Sequence, residues 1–258
     1  MEEKNNLYPR NFLLWNKIGF CANNMKDSVN AILNLPTRPT SATVGFVGIP
    51  ASIACMENDM IFNAYNNLTY VSIDGMPIVK KCRKVGIDCE RCTGPDTMLL
   101  LIEESVKLGK THYFYGGKND AVLKNIKKNL TVKFPGIKIT GMYSPPFRDL
   151  TEEEDKALCD EINRLHPDFV WVGIGQPRQD YWLETHRKTL KNTTILGVGA
   201  AFDFIAGSLE RAPEFMQNAG LEWLYRFVKE PKRLWNRYIK GGFKYLYYCT
   251  KYPSKKIS

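Results

Sequence analysis

Five short stretches carry side chains that could do chemistry. "SIDGMP" holds Asp74, "ERCTGPD" holds Arg91, and "GIGQPRQ" holds Gln176 and Gln179. "GVGAAFDFIAGSLERAP" sets one carboxylate, Asp203, and one cation, Arg211, in an otherwise apolar run, and "FYGGKND" carries Gly116 and Gly117. A carboxylate beside a flexible glycine, as in Asp74-Gly75, can take the proton of an attacking hydroxyl. It can equally cap the helix that starts near Pro77, and the two roles are compatible. Arg91 is either a solvated charge or a guanidinium fork for phosphate oxygens. Gln176 and Gln179 either bind a sugar or base, or cap a helix. Asp203 is costly to bury alone, so backbone N–H groups or an arginine such as Arg211 should hold it, and it either orders its loop or contacts a ligand.

These residues need elements to position them. Six β-rich runs stand out: Ala42–Gly48, Thr69–Ile73, Thr111–Gly117, Gly136–Met142, Asp168–Gly175 and Thr193–Ala200. Helical patterns lie between them. One runs over Thr97–Lys107, and another has Val122, Ile126 and Leu130 on one face. A third opens at Thr151 with Glu154 completing a capping box, and a fourth begins at Pro177. This alternation predicts an α/β fold, Rossmann-like, with a mainly parallel sheet flanked by helices. In such sheets ligands sit outside the carboxyl ends of the strands. Four glycine-bearing loops follow predicted strands there and point to a nucleotide or phosphate site, with Gly75, Gly116, Gly117, Gly175 and Gly199 allowing close backbone approach.

Several classes are excluded. GxxxxGK[ST], GxSxG and GxGxxG are absent, and the three histidines stand near no nucleophile motif. No Asp-x-Asp pair is present to hold a metal–diphosphate complex, so neither a metal nor any other cofactor is expected. Cys89 and Cys92 form a lone CxxC, short of the four ligands of a structural zinc, and seven cysteines without an export signal read as reduced thiols in a cytoplasm. The polar opening "MEEKNNLYPRN" is not a secretory signal, and no run of about 18 apolar residues predicts a membrane span.

The charge is uneven. Of the net +9, all resides in positions 226–258, which hold ten Lys/Arg against one acid, while positions 1–225 carry 26 of each sign. The chain therefore divides into an α/β body, 1–225, and a basic tail, 226–258. The tail interleaves its cations with Phe227, Trp235, Tyr238, Phe243, Tyr245, Tyr247, Tyr248 and Tyr252. Basic heads with Trp and Tyr suit an anionic membrane surface. A neutral body argues against a nucleic-acid partner. Arg226, Arg233 and Arg237 are close enough in sequence to "GLEWLYRF" to fold over the site and meet a lipid-linked diphosphate.

Taken in order, "DGMP", "RCTGPDTM", "FYGGKND", "FPGIKITG", "DFVWVGIGQPRQDYW", "ILGVGAAFDFIAGSLERAPEFMQNAGLEWLYRF" and "EPKRLWNRY" closely resemble the WecG/TagA/CpsF glycosyltransferase family over about residues 40–240. The resemblance implies a metal-independent, inverting enzyme at the cytoplasmic face of the plasma membrane, peripherally bound. It implies transfer from a UDP-sugar donor, of N-acetylmannosamine, uronic acid or hexose type, to a polyprenyl-diphosphate-linked saccharide, in teichoic acid linkage, common-antigen or capsule synthesis. A homo-oligomer is compatible with it. Asp74 falls on the family's Asp-Gly motif as its general base, Arg91 on its Arg-x-Thr-Gly element, and Gln176 and Gln179 on its Gly-x-Gly-x-Pro-Lys-Gln-Glu element. Arg178 and Asp180 depart mildly from that last element. A Thr-x-Asn or Thr-x-His element expected upstream of Asp74 is missing, with Thr43 and Ser52 as substitutes.

Overall fold

The computed structural model describes residues 7–257; the opening Met1–Asn6, part of the segment read above as lacking a secretory signal, lies outside them. Six strands form one parallel sheet: β3 (Ala42–Val47), β4 (Tyr70–Ile73), β5 (Thr111–Gly116), β6 (Lys138–Tyr143), β7 (Phe169–Gly173) and β8 (Thr194–Gly197), in the order β4-β3-β8-β7-β5-β6. The expected α/β, Rossmann-like architecture is thus what the chain adopts. All six runs read as strands are strands, with ends that differ by zero to three residues, β6 running one residue further than read.

The central strands are apolar on both faces because helices cover both. Alternate side chains feed two cores. Val47, Tyr113, Tyr115, Val170, Val172 and Ile195 face one, which is closed by the helices Ile49–Glu57, Met76–Lys84, Glu152–Leu165 and Arg178–His186. Val44, Phe46, Phe114, Phe169, Trp171 and Leu196 face the other, closed by Met25–Leu33, Gly94–Lys107, Asp120–Lys133 and Ala201–Ile205. Thr151 makes the capping box its sequence promised. The helix expected from Pro177 starts at Arg178 and stops at His186.

The sequence pattern did not reveal a second, small sheet. β1 (Phe12–Leu14) pairs antiparallel with β2 (Ile18–Phe20) and with β9 (Lys255–Lys256), so the two ends of the described chain meet. The C-terminal segment is helical before that: Glu222–Lys229, Pro231–Trp235, a π-helical turn Asn236–Lys240, and Gly241–Lys251. Tyr245 and Tyr248 pack on buried Trp15 at ring distances of 5.7 and 5.2 Å, and Lys244 pairs with Glu57 at 2.7 Å. Trp235, Phe243 and Tyr247 face outward. No helix among the described residues is long and apolar enough to cross a membrane.

Candidate active site

Asp74 follows β4 directly, and its N–H donates to Val47 O at 3.0 Å, which places it at the carboxyl edge of the sheet beside the loop after β3. Only glycine fits in that loop: a Cβ on Gly48 would lie 2.6 Å from Asp74 O. Gly75 itself is extended, at φ 177°, so the tight approach belongs to its neighbour across the sheet rather than to the Asp-Gly pair. The chain then returns along the strand end. Cys92 N–H donates to Ile73 O at 2.9 Å and Ser72 Oγ to Cys92 O at 3.2 Å, which brings Arg91 to Asp74.

Thr93 caps the helix Gly94–Lys107, accepting from Asp96 N–H at 3.2 Å and donating to Asp96 Oδ2 at 2.6 Å. Arg211 forks onto the same carboxylate at 2.6 and 3.3 Å. Glu222 comes from the C-terminal segment and bridges the two cations, 3.5 Å from Arg91 and 3.6 Å from Arg211. The result is a half-buried knot of alternating charges at one strand end. Burial pushes the Asp74 carboxyl up to about 6; Arg91 and Arg237 oppose this, and Glu222 and Asp96 add to it. Burial acts the same way on Asp96, but the hydrogen bonds from Arg211 and Thr93 outweigh it and hold that carboxyl below its ordinary value. Of the buried carboxyls here, Asp74 is the one poised near neutral pH to accept a proton.

Along the edge, after β7, Gly175 opens on free space and Gln176 is exposed. Gln176 Nε2 donates to Tyr65 Oη at 2.9 Å, and Tyr65 donates to Asp180 Oδ2 at 2.6 Å. Burial pushes the Asp180 carboxyl up to about 7 against the hydrogen bonds from Tyr65, Gln176 and Gln179. Gln179 is buried and donates to Gly197 O at 3.1 Å, with its Oε1 beside Gly199 and unpartnered. Neither glutamine caps its helix, which has no side-chain cap. Tyr65 carried no motif signal, and the Tyr65–Asp180 pair is 115 positions apart in sequence.

Further along, Gly116 combines φ +137° with a backbone so close to Gly173 that a Cβ would lie 2.6 Å away, so its first duty is strand packing. Gly117 continues that loop into Lys118, which reaches Asp203 at 3.4 Å. The expectation that backbone N–H groups or an arginine such as Arg211 hold the Asp203 carboxylate is therefore corrected. Lys118 and Ser208 Oγ, at 3.2 Å, hold it instead, because both guanidinium nitrogens of Arg211 fork onto the Asp96 carboxylate. Arg211 and Arg226 both lie over the Phe204 ring, at 5.5 and 5.9 Å, and the Nε of each makes no hydrogen bond. Arg233 folds back on Glu230, whereas the Arg237 charge reaches both Asp74 and Tyr65.

Thr43 and Ser52 are not free substitutes for the missing threonine element. Thr43 Oγ1 accepts from Thr69 N–H at 3.1 Å and Ser52 Oγ donates to Gly48 O at 3.0 Å, and both are buried. All seven cysteines are unpaired. Among the described residues one group could hold a metal ion, Asp155, Cys159 and His186, whose ligand atoms lie within 4.8 Å of one another. None of the three belongs to the loops that carry Asp74 and Arg91, and Cys89 and Cys92 take no part in it.

A sequence profile described as "Glycosyl transferase WecG/TagA/CpsF family" matches residues 16–257. The chain is 28% identical over 199 residues to a Bacillus subtilis protein (77% of this chain, 75% of that one) named N-acetylglucosaminyldiphosphoundecaprenol N-acetyl-beta-D-mannosaminyltransferase. A Bacillus spizizenii protein of the same name is 27% identical over 185 residues, 71% of this chain and 69% of its own.

Proposed function

The chain belongs to the WecG/TagA/CpsF family of glycosyl transferases, and from that premise we propose that it moves a sugar from a UDP-sugar onto a polyprenyl-diphosphate-linked saccharide, with inversion and without a metal. The relatives' name, which gives an N-acetylmannosaminyl group and an N-acetylglucosaminyl-diphosphoundecaprenol acceptor, makes N-acetylmannosamine the first donor sugar to try. The observation that carries this reading is the placing of Asp74. It stands on the ligand edge of a parallel sheet, partly buried, with its carboxyl near 6 and with Arg91 beside it.

In the proposed step the acceptor hydroxyl oxygen forms a bond to the anomeric carbon as the bond from that carbon to the UDP oxygen breaks. The hydroxyl proton passes to Asp74, and the electron pair leaves on UDP. One displacement of this kind inverts the anomeric centre, in keeping with the beta linkage in the relatives' name. The leaving diphosphate needs positive charge where it departs. Arg91 and Arg211, with the spare Nε of Arg211 and Arg226, offer it without a metal. The amides opening the helix at Gly94 add their dipole. Glu222 occupies Arg91 and Arg211 in this structure, and a bound diphosphate would take its place.

The basic tail fits a substrate held in a membrane. Arg237, whose charge reaches Asp74, is placed to meet the acceptor's diphosphate, while Trp235, Phe243 and Tyr247 face outward toward the lipid. The enzyme would work peripherally on the cytoplasmic leaflet. The test is incubation with a short-chain lipid-diphosphate N-acetylglucosamine and a panel of UDP-sugars, followed by mass analysis. A product heavier by one N-acetylhexosamine, uronic acid or hexose residue is expected, and no transfer from any nucleotide sugar would overturn the proposal.

A further inference from the structure

We propose that Tyr65 and Asp180 are positioning residues that fix the Gln176 side-chain amide with its oxygen outward, as a hydrogen-bond acceptor for an N–H or O–H group of the nucleotide sugar. The inference rests on the transferase reading above, with the donor at the carboxyl edge of the sheet.

Amide nitrogen and oxygen are alike in shape, and only their partners tell them apart. Here the partners form a one-way chain. Asp180 is buried, at 3% exposure, and above its raised pKa of about 7 it is a carboxylate that can only accept. The Tyr65 hydroxyl proton is therefore committed to Asp180 Oδ2, at 2.6 Å. The phenol oxygen, its proton spent, is left to accept, and Gln176 Nε2 donates to it at 2.9 Å. The Asp180 carboxylate, whose ionised form Gln176 favours, also draws the amide N–H side toward itself. Both demands turn the amide nitrogen inward, so Oε1 faces the open edge beside Gly175, where a Cβ added to that glycine would meet no atom within 4 Å.

The chain is held at both ends by the fold. Tyr65 is buried on the helix Asp59–Asn66, which packs against the helix Arg178–His186 carrying Asp180. Gln179 steadies Asp180 and is itself tied to Gly197 O on β8. Polarity rather than packing is the point of the arrangement. An amide at position 180 would fill the same volume, yet could donate to Tyr65. The Tyr65 proton would then turn to Gln176 Oε1 and bring the NH₂ group outward, presenting a donor where the native site presents an acceptor.

Four variants test this: Tyr65→Phe, Asp180→Asn, Asp180→Glu and Gln176→Ala. Loss of one buried hydrogen bond is expected to raise the donor KM about tenfold in Y65F and in D180N, with kcat within about twofold and the melting temperature lower by several degrees. D180E, which keeps a pure acceptor, should recover part of the loss. If Tyr65 acts through Gln176, Y65F on a Q176A background should change KM by less than about twofold. An equal KM rise in both backgrounds overturns the inference, and so does a native KM in Y65F or in Q176A. A second readout needs no turnover. In ¹⁵N-labelled protein the Gln176 NH₂ signal should exchange slowly with water, and quickly in Y65F. The same slow exchange in both would refute the orientation. Absence of transfer from every UDP-sugar would instead refute the function, leaving the amide signal to decide the geometry.

Discussion

Glu222, on the C-terminal segment, places a carboxylate oxygen 3.5 Å from Nη1 of Arg91, the cation that most strongly counters the burial of Asp74. The acid and the arginine act on Asp74 with opposite sign, so the pH dependence of the reaction is set partly from outside the sheet. Asp74 must be ionised to accept a proton, and its carboxyl sits near 6 rather than the usual 3.8. The ratio kcat/KM is therefore expected to fall as pH drops through about 6. Glu222→Gln removes a charge that raises Asp74, so its acid limb should move to lower pH; Arg91→Gln should move it higher. A limb that moves up in E222Q contradicts the assignment. The stability linkage has the opposite sense. Because folding raises this carboxyl above its unfolded value, the group's contribution is full below about 3.8 and is lost as pH rises to about 6.

Asp74→Asn keeps the shape and the backbone bond to Val47 but has no basicity. A positioned base contributes typically about 10²–10⁴-fold, so kcat should fall by at least about 10² while UDP affinity stays near native. Turnover at the native rate in this variant would remove Asp74 from the role of base.

Chelation tests how the diphosphate is neutralised. Among Asp74, Arg91, Asp96, Arg211 and Glu222 every carboxylate but Asp74 is paired to an arginine, which leaves no acidic pair to bind a divalent ion. EDTA should spare most activity. Activity lost to EDTA and restored by Mg²⁺ or Mn²⁺ would show that the arginines are not the diphosphate's counter-charge.

The membrane surface is best probed by substitution. Truncation after Tyr225 would also take away β9 and the helix that covers Trp15, and so would confuse an anchor with a fold element. Trp235 and Phe243 are 51% and 71% exposed. Trp235→Glu with Phe243→Glu is expected to weaken flotation with anionic vesicles several-fold and leave the melting temperature nearly native. Undiminished flotation would rule out these residues as the contact.

Trp15 gives the complementary stability prediction. It is 1% exposed and meets Tyr245, Tyr248 and Cys249. Trp15→Ala should cost about 3–5 kcal/mol, measured by denaturant unfolding, and should loosen the C-terminal helices before the sheet. A cost below about 1 kcal/mol, within the range of ordinary surface substitutions, would mean that the tail is not held there.

The six parallel strands were readable because each is a short apolar run between turn residues, and helices on both faces demand that pattern. β1, β2 and β9 were not. Strands of two or three residues show no period, and one of the two pairings, β1 with β9, is set by a partner at the far end of the described chain. In the site, Asp74, Arg91 and the glutamines were visible from strand-end position and motif. Asp96 and Glu222 lay inside the quoted stretches "RCTGPDTM" and "GLEWLYRF" and were given no role there. Arg211 was matched with Asp203, eight residues away, because nearness in sequence was the only guide; the partner it takes lies 115 positions away. Tyr65 and Asp180 stayed hidden for the same reason. A hydrogen bond between two helices leaves no spacing to read.

The pairing of Phe12 with Lys256 sets an order of events during synthesis. Among the described strands, the first made waits for the last. Until Lys255 and Lys256 have left the ribosome, β1 has one neighbour rather than two and Trp15 lacks the tyrosines that cover it. Closing so long a loop is entropically slow, whereas the parallel sheet can form from what has already emerged. Glu222 lies downstream of all six sheet strands and of both arginines it bridges. The nascent protein is then expected to hold a formed sheet with Arg211 on Asp96 and Arg91 still without its acid, and to gain the Glu222 bridges afterwards.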